Sequence, residues 1–270
     1  NSNSVTHLLG QLNQLQELDL SYNSLLVNDV ANLAQALGNL KLLRVLKLSG
    51  IRFSAERTRV MASAIGKLLQ LKHLDIGFLN IGDEGAIAIA PALAQLTQMR
   101  ELILPENKIG VDGAKAIAQA LVKMNQLQEL NIRCNDFGAE GIKFLAQALE
   151  NLKQLRNLNV TENQMGDQGA KELAHSLVNL GQLREVSMQY NNIGKDGVQV
   201  LAQAFAKLPK LRKIQFHTNN IGDEGAKALV QALSSSVCSE LQELNVLRNG
   251  ISASGAKLIS QLRHVKNKFW

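Results

Sequence analysis

A chain of 270 residues with 46% hydrophobic content is long enough for a sizeable core, but only 4% of it is aromatic, so the core must be a regular stack of aliphatic side chains, which favours a repeat array over an irregular enzyme core. Two cysteines, Cys134 and Cys238, exclude a disulfide framework and lack metal-ligand spacing, which points to a reducing, intracellular (cytoplasmic) compartment. The net charge of +6 admits an acidic partner, nucleic acid or a membrane surface, whereas no apolar run approaches the length of about 18 residues that membrane insertion needs.

In chain order, residues 1–14 read as a partial repeat, with 4–9 in the helix that would precede the first strand and no signal-peptide pattern over 1–10. At Leu15 the segment LQELDLSYNSL opens a frame that returns every 28 residues, at Leu43, Leu71, Met99, Leu127, Leu155, Leu183 and Leu211. A ninth copy starts at Leu241, 30 residues after the eighth, the two extra residues lying in SSSVCSE. Nine repeats therefore occupy 15–262 and a cap occupies 263–270, together forming a single domain over 1–270.

Positions 3 to 7 of each repeat alternate in and out, as in Glu129, Leu130, Asn131, Ile132 and Arg133, which predicts a short strand buried on one side. Apolar residues at positions 16, 19, 20 and 23 have the spacing of a helix stripe. Strands pair about 4.8 Å apart and helices need about 10 Å, so stacking the units should curve the array. The predicted fold is an α/β solenoid, a horseshoe with a parallel sheet on its concave face and helices on its convex face.

Asn recurs at position 9 (Asn23, Asn107, Asn135, Asn163, Asn191, Asn219, Asn249) and predicts a buried ladder bonding backbone groups. Gly recurs at position 15, from Gly85 to Gly255, where close packing or a special turn must offset its helix penalty. Repeats two and three break the pattern with Ile51, Leu79 and Arg57, and Pro91 predicts a kinked or shortened third helix. Val265, Phe269 and Trp270 are expected to fold over the last core layer.

The pattern LxxLxLxxNxIG followed by DxGAxxLAxAL resembles the ribonuclease-inhibitor-like class of leucine-rich repeats over nearly the whole chain. That resemblance implies a protein-binding horseshoe, as in NOD-like receptor sensor arms, eukaryotic-like bacterial effectors that act in host cytosol, and GTPase-activating proteins of the Ran-regulator type. A long acidic C-terminal segment expected of the last group has no counterpart in the basic HVKNKFW ending. The uniform period and few cysteines differ from ribonuclease inhibitor itself.

Metal-protease, P-loop, nucleophile-elbow and dinucleotide fingerprints are missing from the sequence, and the five histidines lie in different repeats. No enzymatic activity, cofactor or small-molecule substrate is expected. Acidic side chains at position 3 (Glu17, Glu101, Glu129, Glu185, Glu243) stand beside basic ones at position 2 (Arg44, Lys72, Arg100, Arg156, Arg184, Arg212) and should neutralise them. Without interleaved aromatics, this dispersed basic charge argues against nucleic acid. The chemistry of positions 7 and 8 varies from repeat to repeat, which leaves them free for recognition. Tyr22, Phe78, Glu106, Arg133, Glu162, Tyr190, His217 and Arg248 are the candidate contacts for a partner protein on the concave face.

Overall fold

The computed structural model describes residues 8–23 and 30–270. The chain divides into two compact units, Asn1–Asn135 and Asp136–Trp270. The expected helix at 4–9 lies outside the described residues except for Leu8 and Leu9, which are helical.

The first unit carries β1 (Glu17–Asp19), α1 (Val30–Leu37), β2 (Val45–Lys47), α2 (Ala55–Ile65), β3 (His73–Asp75), α3 (Gly82–Leu93), β4 (Glu101–Ile103), α4 (Val111–Leu121) and β5 (Glu129–Asn131). Its strands pair in parallel and in sequence order, Glu17 to Val45 to His73 to Glu101 to Glu129, so the repeat frame is also the register of the sheet. The second unit carries α5 (Gly138–Leu149), β6 (Asn157–Asn159), α6 (Gly166–Leu177), β7 (Glu185–Ser187), α7 (Lys195–Phe205), β8 (Lys213–Gln215), α8 (Gly222–Leu233), β9 (Glu243–Asn245), α9 (Ala253–Ser260) and β10 (Asn267–Phe269). Its strands run in the same parallel order from β6 to β10. Each unit is thus an α/β solenoid. Among the described residues no helix is long and apolar enough to cross a membrane.

The alternating pattern works as read: in β4 the central Leu102 is buried while Glu101 and Ile103 are half-buried. In α4 the expected stripe of Ala114, Ile117, Ala118 and Leu121 is buried. The core fills the space between these two faces. The strands are shorter than the predicted positions 3 to 7 and end at position 5. Backbone pairing nevertheless continues beyond them, with Leu20 N–H donating to Lys47 O at 2.9 Å and Tyr22 N–H to Ser49 O at 2.7 Å.

The Asn ladder is built from one side chain bonding two repeats. Asn135 Nδ2 donates to Ile132 O at 2.9 Å and Leu104 O at 3.1 Å, and its Oδ1 accepts from Asn107 N and Ile109 N, both at 3.1 Å. Asn219 repeats the scheme with Phe216 O, Met188 O, Asn191 N and Ile193 N. Ile51 and Leu79, which replace Asn, are buried instead, at 0% and 2% exposure. Their turns close through Ile51 N–H to Leu48 O and through Leu79 N–H to the next rung, Asn107 Oδ1.

Gly113, Gly197 and Gly255 at position 15 each stand against an aspartate supplied from the preceding repeat, whereas Gly85, Gly169 and Gly225 make room for the side chain four residues before them. Asp83 Oδ1, in the first turn of α3, accepts from Gly110 N at 2.7 Å and Gly113 N at 2.9 Å at the start of α4. Asp167 treats Gly194 and Gly197 alike, and Asp223 accepts from Ser252. A Cβ on Gly113 would stand 2.6 Å from the Asp83 carboxylate and 2.6 Å from Ile109, so only glycine admits the incoming group. Hydrogen bonds from the Ser252 hydroxyl and N–H hold the Asp223 carboxyl below its ordinary range. Where Arg57 replaces glycine, α2 is capped by its own Ser54, which accepts from Arg57 N.

Two expectations change. Pro91 lies inside α3 without shortening it, since α3 has 12 residues, as α5 has. The turn it interrupts is a solvated one: Pro91 is exposed, and Ile87, four residues back, is 50% exposed. At the end of the chain Val265 is buried, but Phe269 and Trp270 each remain 44% exposed. The segment Asn267–Phe269 joins the sheet beside β9, and strand alternation turns Lys268 inward, where its Nζ donates to Leu262 O and Val265 O at 3.0 Å.

Candidate protein-binding face

The geometry of the face is set by one backbone feature. In all nine repeats the residue at position 8 has a positive φ, 53° to 57° for the non-glycine residues and 75° for Gly50. This left-handed conformation swings the side chain out of the strand alternation and over the turn. It disfavours residues with a Cβ by about 1–2 kcal/mol, and β-branched ones most of all. Yet Tyr22, Phe78, Glu106, Cys134, Glu162, Tyr190, Thr218 and Arg248 occupy it.

In the first unit four of the predicted residues come together. The rings of Tyr22 and Phe78 lie 6.4 Å apart, tilted at 49°. The Arg133 guanidinium sits 5.7 Å from the centre of the Phe78 ring and reaches Glu106 at 3.3 Å. Arg133 Nη1 also donates to Cys134 Sγ at 3.4 Å, so the half-buried thiol belongs to the same cluster. Two glycines make room for it. A Cβ on Gly50 would fall 2.3 Å from the Tyr22 ring, and one on Gly77 would fall 2.9 Å from Pro105.

Tyr22 and Phe78 stand between two hollows. On the sheet side a space of about 680 Å³ is lined by residues that include Asp19, Lys47, Asp75, Ile103, Pro105 and Arg133. On the loop side a space of about 420 Å³ is lined by Tyr22, Gly50, Arg52, Phe78, Asn80, Glu106 and Lys108. The carboxylates of the sheet side are held in place: Asp75 Oδ1 accepts from Gly77 N at 3.0 Å and from the Ser49 hydroxyl. Hydrogen bonds from the Ser21 backbone and side chain hold Asp19 below the usual carboxylate range, with a smaller contribution from Lys47.

In the second unit Tyr190 and His217 meet edge to face, 5.4 Å between ring centres. His217 Nδ1 lies 3.0 Å from Thr218 Oγ1. Burial, and then the charge of Arg248, push the His217 pKa down. Glu162 is exposed at position 8 of its own repeat.

The acidic column finds some partners within its own row. Glu101 pairs with His73 at 2.5 Å and Glu243 with Lys213 at 3.2 Å, while Arg212 of the basic column turns to Glu240 at 2.9 Å. His73 Nε2 is buried with no hydrogen-bond partner among the described residues. Among the described residues no three His, Cys, Asp or Glu side chains gather to hold a metal ion. Sequence reasoning passed over Asp19, Lys47, Asp75, Arg52 and Lys108, although position 5, like positions 7 and 8, changes character from repeat to repeat. It also passed over Gly50 and Gly77, whose role is the space they leave.

The family described as Leucine Rich repeat matches residues 70–90, 95–118, 123–146, 153–174, 183–202 and 207–230, half of the chain. A second description, Leucine Rich Repeat, matches 14–40. Among solved structures, an internalin from Listeria monocytogenes is similar, with a TM-score of 0.59 and 20% identity over 96% of this chain and 75% of that one. This is a likeness of fold. No curated protein matches the sequence.

Proposed function

This chain belongs to the leucine-rich repeat family, and from that premise we propose that it is a non-enzymatic interaction module that binds a partner protein on the open sheet face, through the side chains at positions 7 and 8. One observation carries the reading. A backbone conformation that favours glycine is occupied in eight of nine repeats by other residues, among them Tyr22, Phe78, Tyr190 and Arg248. Gly or Asn would adopt that backbone with less strain, so folding alone does not account for the large and chemically diverse side chains found there. Aromatic and Arg side chains in preorganised clusters are also the usual anchors of protein interfaces. We further assign the repeats to the ribonuclease-inhibitor-like class, on the strength of full helices of 11 or 12 residues in most repeats.

The test uses a partner recovered by affinity purification. Arg133→Glu and Tyr190→Ala should each weaken its capture by about ten-fold, while Lys115→Glu and Lys171→Glu on the helices leave it unchanged. Loss only with the helix variants would reject the sheet face.

A further inference from the structure

The loop-side hollow has a chemistry that its own residues do not complete. Tyr22 is 71% exposed, far beyond what an aromatic ring on a polar face needs for folding. Its position is nonetheless built. Tyr22 N–H is tied to Ser49 O, Gly50 N–H to Gly77 O at 3.0 Å and Phe78 N–H to Pro105 O at 2.8 Å, and the missing side chain of Gly50 is what admits the ring. The two rings form an apolar ridge on backbone that is hydrogen-bonded at both residues, so the chain beneath them is already ordered when something lies on it.

The charges around the ridge do not balance equally on its two sides. On the sheet side Lys47 lies in register between Asp19 and Asp75, and Arg133 is engaged by Glu106 and Phe78. On the loop side Arg52 and Lys108 are exposed, and among the described residues neither belongs to an ion pair. The acid of that hollow, Glu106, is already committed to Arg133. Two unneutralised cations and the Asn80 side chain therefore border one edge of an apolar ridge, on a chain whose net charge is +6. Exposed Arg and Lys beside an aromatic surface complement a carboxylate next to an apolar side chain.

We propose that this hollow accepts an acidic segment of a partner protein, with an apolar side chain of the segment lying on Tyr22 and Phe78 and a neighbouring carboxylate held between Arg52 and Lys108. The proposal rests on the sheet-face reading above and narrows it to a partner chemistry and a place.

Fluorescence anisotropy on the whole chain tests it with three labelled probes: a short peptide alternating Glu with Leu and Phe, its counterpart with Lys in place of Glu, and an oligothymidylate. The acidic peptide should bind, about ten-fold more weakly to the Arg52→Glu, Lys108→Glu double variant and to Tyr22→Ala, with Lys171→Glu unchanged. Thermal melts of each variant establish that it is folded, and Arg52→Gln with Lys108→Gln serves if the reversal is not tolerated. Tyr22-dependent preference for the Lys peptide would overturn the acidic occupant while leaving a protein-binding face intact. The same preference for the oligothymidylate would overturn the proposal in favour of nucleic acid. Acidic-peptide binding that ignores Tyr22, or no binding, would also overturn it, and the sheet-face reading would then be judged on the Arg133 and Tyr190 capture assay alone.

Discussion

At the scale of single residues, the left-handed turn at position 8 separates what the backbone favours from what occupies it. Thr218, β-branched at a φ of 56°, is the least comfortable occupant. Thr218→Asn should raise the unfolding free energy by about 1 kcal/mol, read from the urea midpoint, since Asn tolerates the left-handed region. An unchanged or lowered midpoint would remove the strain argument. Tyr22 and Tyr190 were legible as candidates because both tyrosines of the chain fall in one variable row. Gly50 was not, because its role is an absence that only the neighbouring Tyr22 ring gives meaning to. Arg52 and Lys108 were likewise hidden: position 10 reads as a solvated loop until the hollow beside the aromatic ridge is seen.

At the scale of elements, α4, α7 and α9 begin with amides bonded to a carboxylate from the repeat before. Asp83→Ala removes the acceptor of both Gly110 N and Gly113 N. It should cost about 1–2 kcal/mol in chemical unfolding and speed hydrogen exchange at those two amides. Asp83→Asn keeps an oxygen in place and should recover most of the loss; equal loss in both variants would mean that charge, not the hydrogen bonds, stabilises the junction. The strands and helices were legible because each has one buried side, and the periods of two and 3.6 appear directly in the apolar pattern. The cause of the position-15 glycines was not. At Gly113 a Cβ is excluded both by Ile109, four residues back, and by Asp83, 30 residues away, and the second pairing leaves no local periodic trace. The same limit explains the tail, where of the three residues expected to fold over the last core layer Val265 is buried while Phe269 lies on the outward face of β10.

At the scale of the whole molecule, regularity is what makes the architecture readable in the sequence. The repeat frame coincides with the strand register in both units, so finding one is finding the other. The partner's chemistry has no such periodicity and becomes visible only once side chains from different repeats share a hollow. A chain of net charge +6 that captures an acidic segment should associate faster at low salt. Stopped-flow association of the acidic peptide should therefore slow as ionic strength rises from about 0.05 M to about 0.5 M, with a smaller effect on dissociation. A rate indifferent to salt would show that long-range charge has no part in the encounter.

The carboxylate lent by one repeat to the next also constrains how such an array can grow. If the repeat starting at Met99 were copied alone, the duplicate's glycines would face Val111 where the original pair faces Asp83, and two amide hydrogens would go begging. Copying it together with the repeat starting at Leu71 carries lender and borrower along as a set. In this part of the chain the heritable word is a doublet, although the eye counts single copies.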